Sequence, residues 1–456
     1  MRVNIAPVLP IADDHEPAPL VRGLPWLGRA ELLYAAALVC VLTQGPVLSL
    51  WIRRTQAGQG AIETAVEATY VLAELPAIVL LSRRLGRRSL AWRSTAWLAG
   101  FVSLMVLSTT WSLLRTWTSV AAVGLATTAA AGLYLAVTFR PQRLLLAAFV
   151  GLQPGLLASE WASRRKIAFA IDDGFNWTGI YFNRNSLGPP AAIGGGFGLA
   201  LVWWLVMRRP ARWPALTVLT GMVAVYDLRI LRLSGSATSI VMVAVMLGST
   251  AAWTVITSLA KRRGVSARRV GTLGAGSIGL LFAVGVAAYA MQARVSRWLH
   301  RPAGFDGRTE YWQASWKGFK AHPFLGWGWL SAWHTPAFKS YLSVHLFQEV
   351  WSHSAYFDVV LGGGIIGVVA FVGLLSTGFA NGTRHALADP VDRAWLIGFM
   401  TAFVVGCTQE SFLIGHHFLW LLFVAAIAMP LRSTHAGYGT TPIDSAPPSR
   451  TDPLEA

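Results

Sequence analysis

Residues 351–367 read WSHSAYFDVVLGGGIIG. Beyond Ser354 the chain stays apolar to about residue 379, long enough to cross a hydrocarbon core about 30 Å thick. A single histidine, His353, stands at the mouth of this run, and four glycines follow it. Similar runs of roughly 20 residues recur along the chain. They are continuous, not alternating, which favours helices over a β-barrel. The expected fold is therefore all-α: a polytopic transmembrane helical bundle of about 12 spans. The spans are expected at 30–50, 63–82, 94–114, 118–139, 144–160, 188–207, 213–231, 236–260, 270–291, 354–379, 393–410 and 414–431.

Composition points the same way. Charged residues make up 13% of the 456-residue chain and hydrophobic residues 54%. A soluble domain carries about 25% charged residues, so this chain lacks a polar skin. The formal net charge of +17 does not imply nucleic acid. The basic residues lie between apolar runs, where they orient helices and meet lipid headgroups. No zinc-finger spacing, RNA-binding signature or basic helix-turn-helix accompanies them. Membrane lipids are the expected partners. The two cysteines, Cys40 and Cys407, sit inside apolar runs and build no disulfide framework.

Lysine and arginine choose the sides. Arg83, Arg84, Arg87, Arg88 and Arg93 fill one connection; Arg208, Arg209 and Arg212 mark another; Lys261, Arg262, Arg263, Arg268 and Arg269 fill a third. These alternate connections share a side, and the positive-inside rule makes it cytoplasmic. Residues 1–29 and 432–456 are polar and Pro-containing, and read as disordered cytoplasmic tails. Spans 1–9 occupy 30–291, a large external loop 292–353, and spans 10–12 the stretch 354–431. The membrane is expected to be the cell's inner membrane.

The external loop carries Arg294, Arg297, Arg301, Arg308, Lys317, Lys320 and Lys339. Within DGRTEYWQASWKGFKAHPFLGWGWL, 306–330, Asp306 suits a helix N-cap and Pro323 ends the helix. Arg308, Tyr311, Trp312, Ser315 and Phe319 then share one face. A guanidinium fork beside aromatic rings suits a phosphate and a sugar; the same pattern also suits a helix merely anchored in the headgroup layer. His353 is either a general base or an interface residue. Glu63, Glu67 and Glu74 share a face of the second span, and Asp227, Arg229 and Arg232 lie near the outer end of the seventh. Charges inside spans suggest transport, a proton relay, or a structural ion pair between these two spans.

Several motifs carry nothing. GAGSIG at 274–279 and GGGIIG at 362–367 match a dinucleotide-binding pattern but lie in spans, without the strand and acidic residue it requires. There they serve close helix packing. Asn176-Trp177-Thr178 is a weak three-residue sequon match. No metal site or cofactor is expected.

His353-Ser354-Ala355-Tyr356-Phe357 followed by Gly364-Ile365-Ile366-Gly367 resembles the signature of the O-antigen ligase and polysaccharide polymerase family. Further blocks resemble that family in the same order: Ser108-Thr109-Thr110-Trp111-Ser112; the stretch from Gly179 to Gly188; Gly307-Arg308 with Trp312; and Pro323-Phe324-Leu325-Gly326-Trp327-Gly328. Together they span roughly 110–370. The resemblance implies a membrane glycosyltransferase acting at the outer leaflet, with a polyprenyl-diphosphate-linked glycan as donor and a glycan or glycolipid as acceptor. It implies that His353 acts on the acceptor and Arg308 on the diphosphate, without a metal. Trp312 and Tyr356 become candidate substrate contacts. Two features depart from the family: Ser354 replaces its asparagine and Gly362 its acidic residue. The Ser-Arg expected near Ala237 is also missing, and Arg184, Arg229 and Arg232 are candidates to supply its charge.

The alternative from another class is a flippase or exporter of lipid-linked glycans working through Glu63, Glu67 and Glu74. A third reading takes sugar from a polyprenyl monophosphate, but residues 51–62 contain no acid for it. The glycine run is expected to let span ten pack tightly behind His353.

Overall fold

The computed structural model describes residues 25–54, 59–85, 90–167, 169–172, 174–181, 183–290, 308–342 and 351–431. It is an all-α polytopic membrane protein. Its helices are α1 (Pro25–Leu42), α2 (Gly45–Arg54), α3 (Gln59–Leu85), α4 (Trp92–Leu107), α5 (Arg115–Thr138), α6 (Pro141–Arg164), α7 (Arg184–Arg208), α8 (Trp213–Ser234), α9 (Ala237–Arg262), α10 (Ala267–Ala290), α11 (Arg308–Ala321), α12 (Pro336–Lys339), α13 (Ala355–Ala388), α14 (Pro390–Gly406) and α15 (Phe418–Ala428). A two-stranded antiparallel hairpin pairs Ile171 with Trp177.

Among the described residues, seven helices are long and apolar enough to cross a membrane: Ala65–Leu85 within α3, and α5, α6, α7, α8, α9 and α13. They match seven of the expected spans. Elsewhere the pattern differs from twelve plain spans. The first expected span breaks at Gln44, whose φ is 72°, leaving α1 and α2 as separate pieces. The last two expected spans become α14, an irregular stretch at 407–417, and the 11-residue α15. Every residue of α15 is buried. A helix apolar on all faces belongs in the middle of a bundle, and here it packs on α4, α5, α13 and α14. Irregular backbone inside a membrane protein survives only where protein covers it, and 407–417 has such cover from α3, α5 and α13.

The two ends of the bundle differ. At one, Arg84 pairs with Glu31 and donates to Thr138 Oγ1. Arg208 pairs with Asp389 and Asp392, and Lys261 Nζ donates to the Ala388 carbonyl. This arginine-rich end gathers the alternate connections singled out in the sequence. The opposite end gathers the sequence blocks quoted above for their resemblance.

There the glycine run finds its partner. α13 is broken at Gly364, with φ 58° and ψ −153°, a conformation open essentially to glycine alone. The loop 322–329 inserts into the break. Trp327 N donates to Leu361 O at 2.7 Å, and Ile365 N donates to Pro323 O at 2.8 Å. In an unbroken helix Ile365 N would bond Leu361 O; the loop has replaced that one bond with two. A methyl group on Gly326 would collide with the Leu361 carbonyl, and one on Gly364 with the Phe324 carbonyl. Gly326 and Gly364 therefore admit the Pro-Phe-Leu-Gly-Trp-Gly loop, a task beyond the expected close packing, which Gly362 and Gly363 perform against Trp329 and Met105. The Ser108–Ser112 block closes the other side: Trp329 N donates to Ser108 Oγ at 2.9 Å, and Trp111 Nε1 to Leu325 O at 3.2 Å.

Candidate functional site

The site is the corner where α11, the entry to α13 and the 407–417 stretch meet. Arg308 begins α11. Its Nη1 donates to Gln409 Oε1 at 2.8 Å and its Nη2 to Glu410 Oε1 at 2.6 Å. The two charged side chains are only 11% and 15% exposed. Ala355 N donates to the Cys407 and Glu410 carbonyls at 3.0 and 3.2 Å, so the same turn that faces Arg308 also holds the first residue of α13.

His353 lies two residues before that anchor. Its φ is 53°, a left-handed conformation that a non-glycine residue adopts only when its surroundings impose it. The surroundings are a knot of buried serines. Ser352 Oγ and N both donate to Asp358 Oδ1, at 2.7 and 3.2 Å, and Ser354 Oγ donates to Cys407 O at 3.3 Å. The imidazole rests against Tyr311, ring centroids 5.1 Å apart, and against Trp351 at 5.9 Å. Tyr311 sits three residues after Arg308, hence on the same face of α11. The two residues singled out from sequence thus share one corner.

The face predicted for α11 holds, but it points inward. Trp312, Ala314, Ser315 and Gly318 are buried, and Trp312 stacks on Phe357 at 6.1 Å. Tyr356 uses its hydroxyl to donate to Val404 O at 2.8 Å. In this conformation both rings join elements to one another. Asp306, Gly307, Arg294, Arg297 and Arg301 lie outside the described residues, as does the side chain of Glu63.

The three arginines considered as replacements occupy a neighbouring patch at the same end. Arg229 pairs with Glu160 at 3.0 Å and lies over the Trp177 ring. Arg184 is half-buried in the first turn of α7, and Arg232 is exposed near the end of α8. Among the described residues neither forms an ion pair, and none of the three contacts Arg308 or His353. The block containing Asn185 and Gly188 packs on the Ser234–Ser239 block, with Ser236 Oγ donating to Asn185 Oδ1 at 3.3 Å.

Among the described residues no ion pair joins the second and seventh spans. Asp227 accepts instead from Gln153 Nε2 at 3.0 Å. Glu67 and Glu74 meet His416 of the irregular stretch: Nε2 lies 3.2 Å from Glu67 Oε2 and Nδ1 3.1 Å from Glu74 Oε2. Thr128 donates to Glu74, and Tyr70 stacks on the His416 ring. Sequence reading missed His416, Gln409 and Glu410 because they fell within or between two runs taken as plain spans. The available signal was the polar Thr408-Gln409-Glu410 and His416-His417 inside so apolar a region.

No protein-family profile matches the chain. The chain is similar to the exopolysaccharide production protein ExoQ of Rhizobium meliloti (strain 1021), with 24% identity over 239 residues. The match covers 50% of this chain and 52% of that protein, so the chain spans about half the length of the curated relative it matches.

Proposed function

We propose that this chain is a membrane glycosyltransferase of polysaccharide biosynthesis, in the manner of O-antigen ligases and polysaccharide polymerases. It transfers a glycan from a polyprenyl-diphosphate donor to a hydroxyl of a glycan or glycolipid acceptor. The observation that carries the reading is the shared corner of Arg308 and His353, a bidentate cation and an imidazole on adjoining elements. The similarity to a protein of exopolysaccharide production supports the substrate class. The bias of lysine and arginine supports an inner-membrane protein with both termini cytoplasmic and this corner facing outward.

In the proposed reaction the donor's diphosphate takes the Arg308 fork, whose geometry suits phosphate oxygens as well as carboxylates. Glu410 and Gln409 yield the fork to it. The acceptor hydroxyl attacks the anomeric carbon while His353 takes its proton. The bond to the diphosphate oxygen breaks, its electron pair leaves with the diphosphate, and the guanidinium stabilises that charge. A single displacement inverts the anomeric centre. The strained, serine-braced backbone at His353 fixes where the base stands. The scheme draws on no metal.

A second reading, an exporter of lipid-linked glycans, draws support from Glu67, Glu74 and His416, an ionisable cluster within the bundle. The two part in one experiment: purified protein in proteoliposomes with a synthetic polyprenyl-diphosphate oligosaccharide. Longer lipid-linked chains identify a polymerase, and glycan moved to a different added acceptor identifies a ligase. Donor moved across the bilayer with no new glycosidic bond would overturn the transferase reading.

A further inference from the structure

At the arginine-rich end a cavity of about 390 Å³ opens between the start of α4, α10, the end of α13 and the residues after α15. Arg93 and Arg384 line it, with Ser376 and Asn381 between them. Among the described residues neither arginine forms an ion pair or a hydrogen bond, unlike Arg84 and Arg208 at the same end, which have carboxylate partners. Arg384 is half-buried and lies against Gly271, where a methyl group would come within 2.9 Å of its Nε. The start of α4 adds to this. Its N-cap, Ala91, offers no side-chain acceptor, so the first-turn amides face the cavity mouth with the positive end of the helix dipole. Apart from Ser94 and Thr377, whose hydroxyls donate to backbone carbonyls, the rest of the wall is apolar: Trp92, 73% exposed, and Leu431, 44% exposed, flank the opening.

We propose that this cavity binds the headgroup of an anionic phospholipid. The ligand chemistry follows from the wall. Two arginines and uncapped amides call for a phosphate, Ser376 suits headgroup hydroxyls, and an exposed tryptophan and leucine suit the glycerol and first acyl carbons. A soluble anion would leave the apolar rim unused, whereas a phospholipid satisfies both parts. Basic pockets between helices at the end richest in arginine are where anionic lipids are held most strongly. Occupancy would also tie α4 to α13, the two helices that clasp the 322–329 loop at their other ends.

The test is native mass spectrometry of protein released from nanodiscs holding equal amounts of phosphatidylglycerol and phosphatidylcholine. The wild type is expected to retain one phosphatidylglycerol in preference. The R93Q/R384Q variant should hold it about thirtyfold less tightly, and R93Q alone about fivefold less. Because Arg93 is exposed at a helix start, R93Q keeps the fold even if the double variant does not. K261Q/R262Q, which removes the same charge elsewhere at this end, should retain the lipid. No preference in the wild type, equal retention by R93Q, equal loss in K261Q/R262Q, or displacement of the lipid by millimolar inorganic phosphate would each overturn the proposal.

Discussion

Replacing Gly364 with alanine tests the interlock on which the corner's shape depends. At φ 58° and ψ −153° an alanine costs about 1–3 kcal/mol in backbone strain alone, and its methyl would collide with the Phe324 carbonyl. The chain's relief is to straighten α13, re-forming the bond from Ile365 N to Leu361 O. That expels the loop and removes the bonds from Trp327 N to Leu361 O and from Ile365 N to Pro323 O. Each backbone bond is worth about 0.5–1.5 kcal/mol net. Less the one bond regained, straightening loses about 0.5–1.5 kcal/mol in bonds besides the packing of the loop, while keeping the break costs about 1–3 kcal/mol of strain instead. G367A is the control: the methyl would lie 3.2 Å from Val359 O on a helical residue, and a shift under about 1 kcal/mol is expected there. Unfolding in mild detergent gives the stability difference, and hydrogen exchange at the Trp327 amide reports the loop. The reasoning fails if G364A protects the Trp327 amide as the wild type does and is no less stable than G367A.

Other outcomes follow from the same contacts. E410Q should lower the KM for donor, because the wild-type carboxylate competes for Arg308; steady-state transfer kinetics measure this. H416A leaves two carboxylates without their cationic partner and should cost about 3–5 kcal/mol, most of it recovered in H416L/E67L/E74L; thermal unfolding of the wild type and these two variants measures this. S108A removes the acceptor of the buried Trp329 amide and should cost about 1–3 kcal/mol in the same assay.

What the sequence disclosed divides along physical lines. Membrane class was legible because apolar runs and basic connections are local properties, and seven helices bear them. The inward face of α11 was legible from helical spacing between Arg308 and Phe319. Its burial against protein was not, because spacing identifies a face without its partner. The close packing of the glycines after His353 was legible, but the task of Gly364 was not: its partner is the loop 322–329, and no periodicity links the two. Glu74 and His416 are 342 residues apart, beyond any pattern in a single sequence. The last helix misled because its apolarity suggested a full span, whereas it has 11 residues and the irregular stretch 407–417 before it carries Gln409, Glu410 and His416.

The most direct measurement is single-turnover glycan transfer by H353N and R308Q, with donor binding measured separately on the same preparations. The account predicts that H353N binds donor as the wild type does but transfers about 10²–10⁴ times more slowly, and that R308Q loses donor affinity. Wild-type transfer by H353N, in protein that inserts and folds normally, would contradict it.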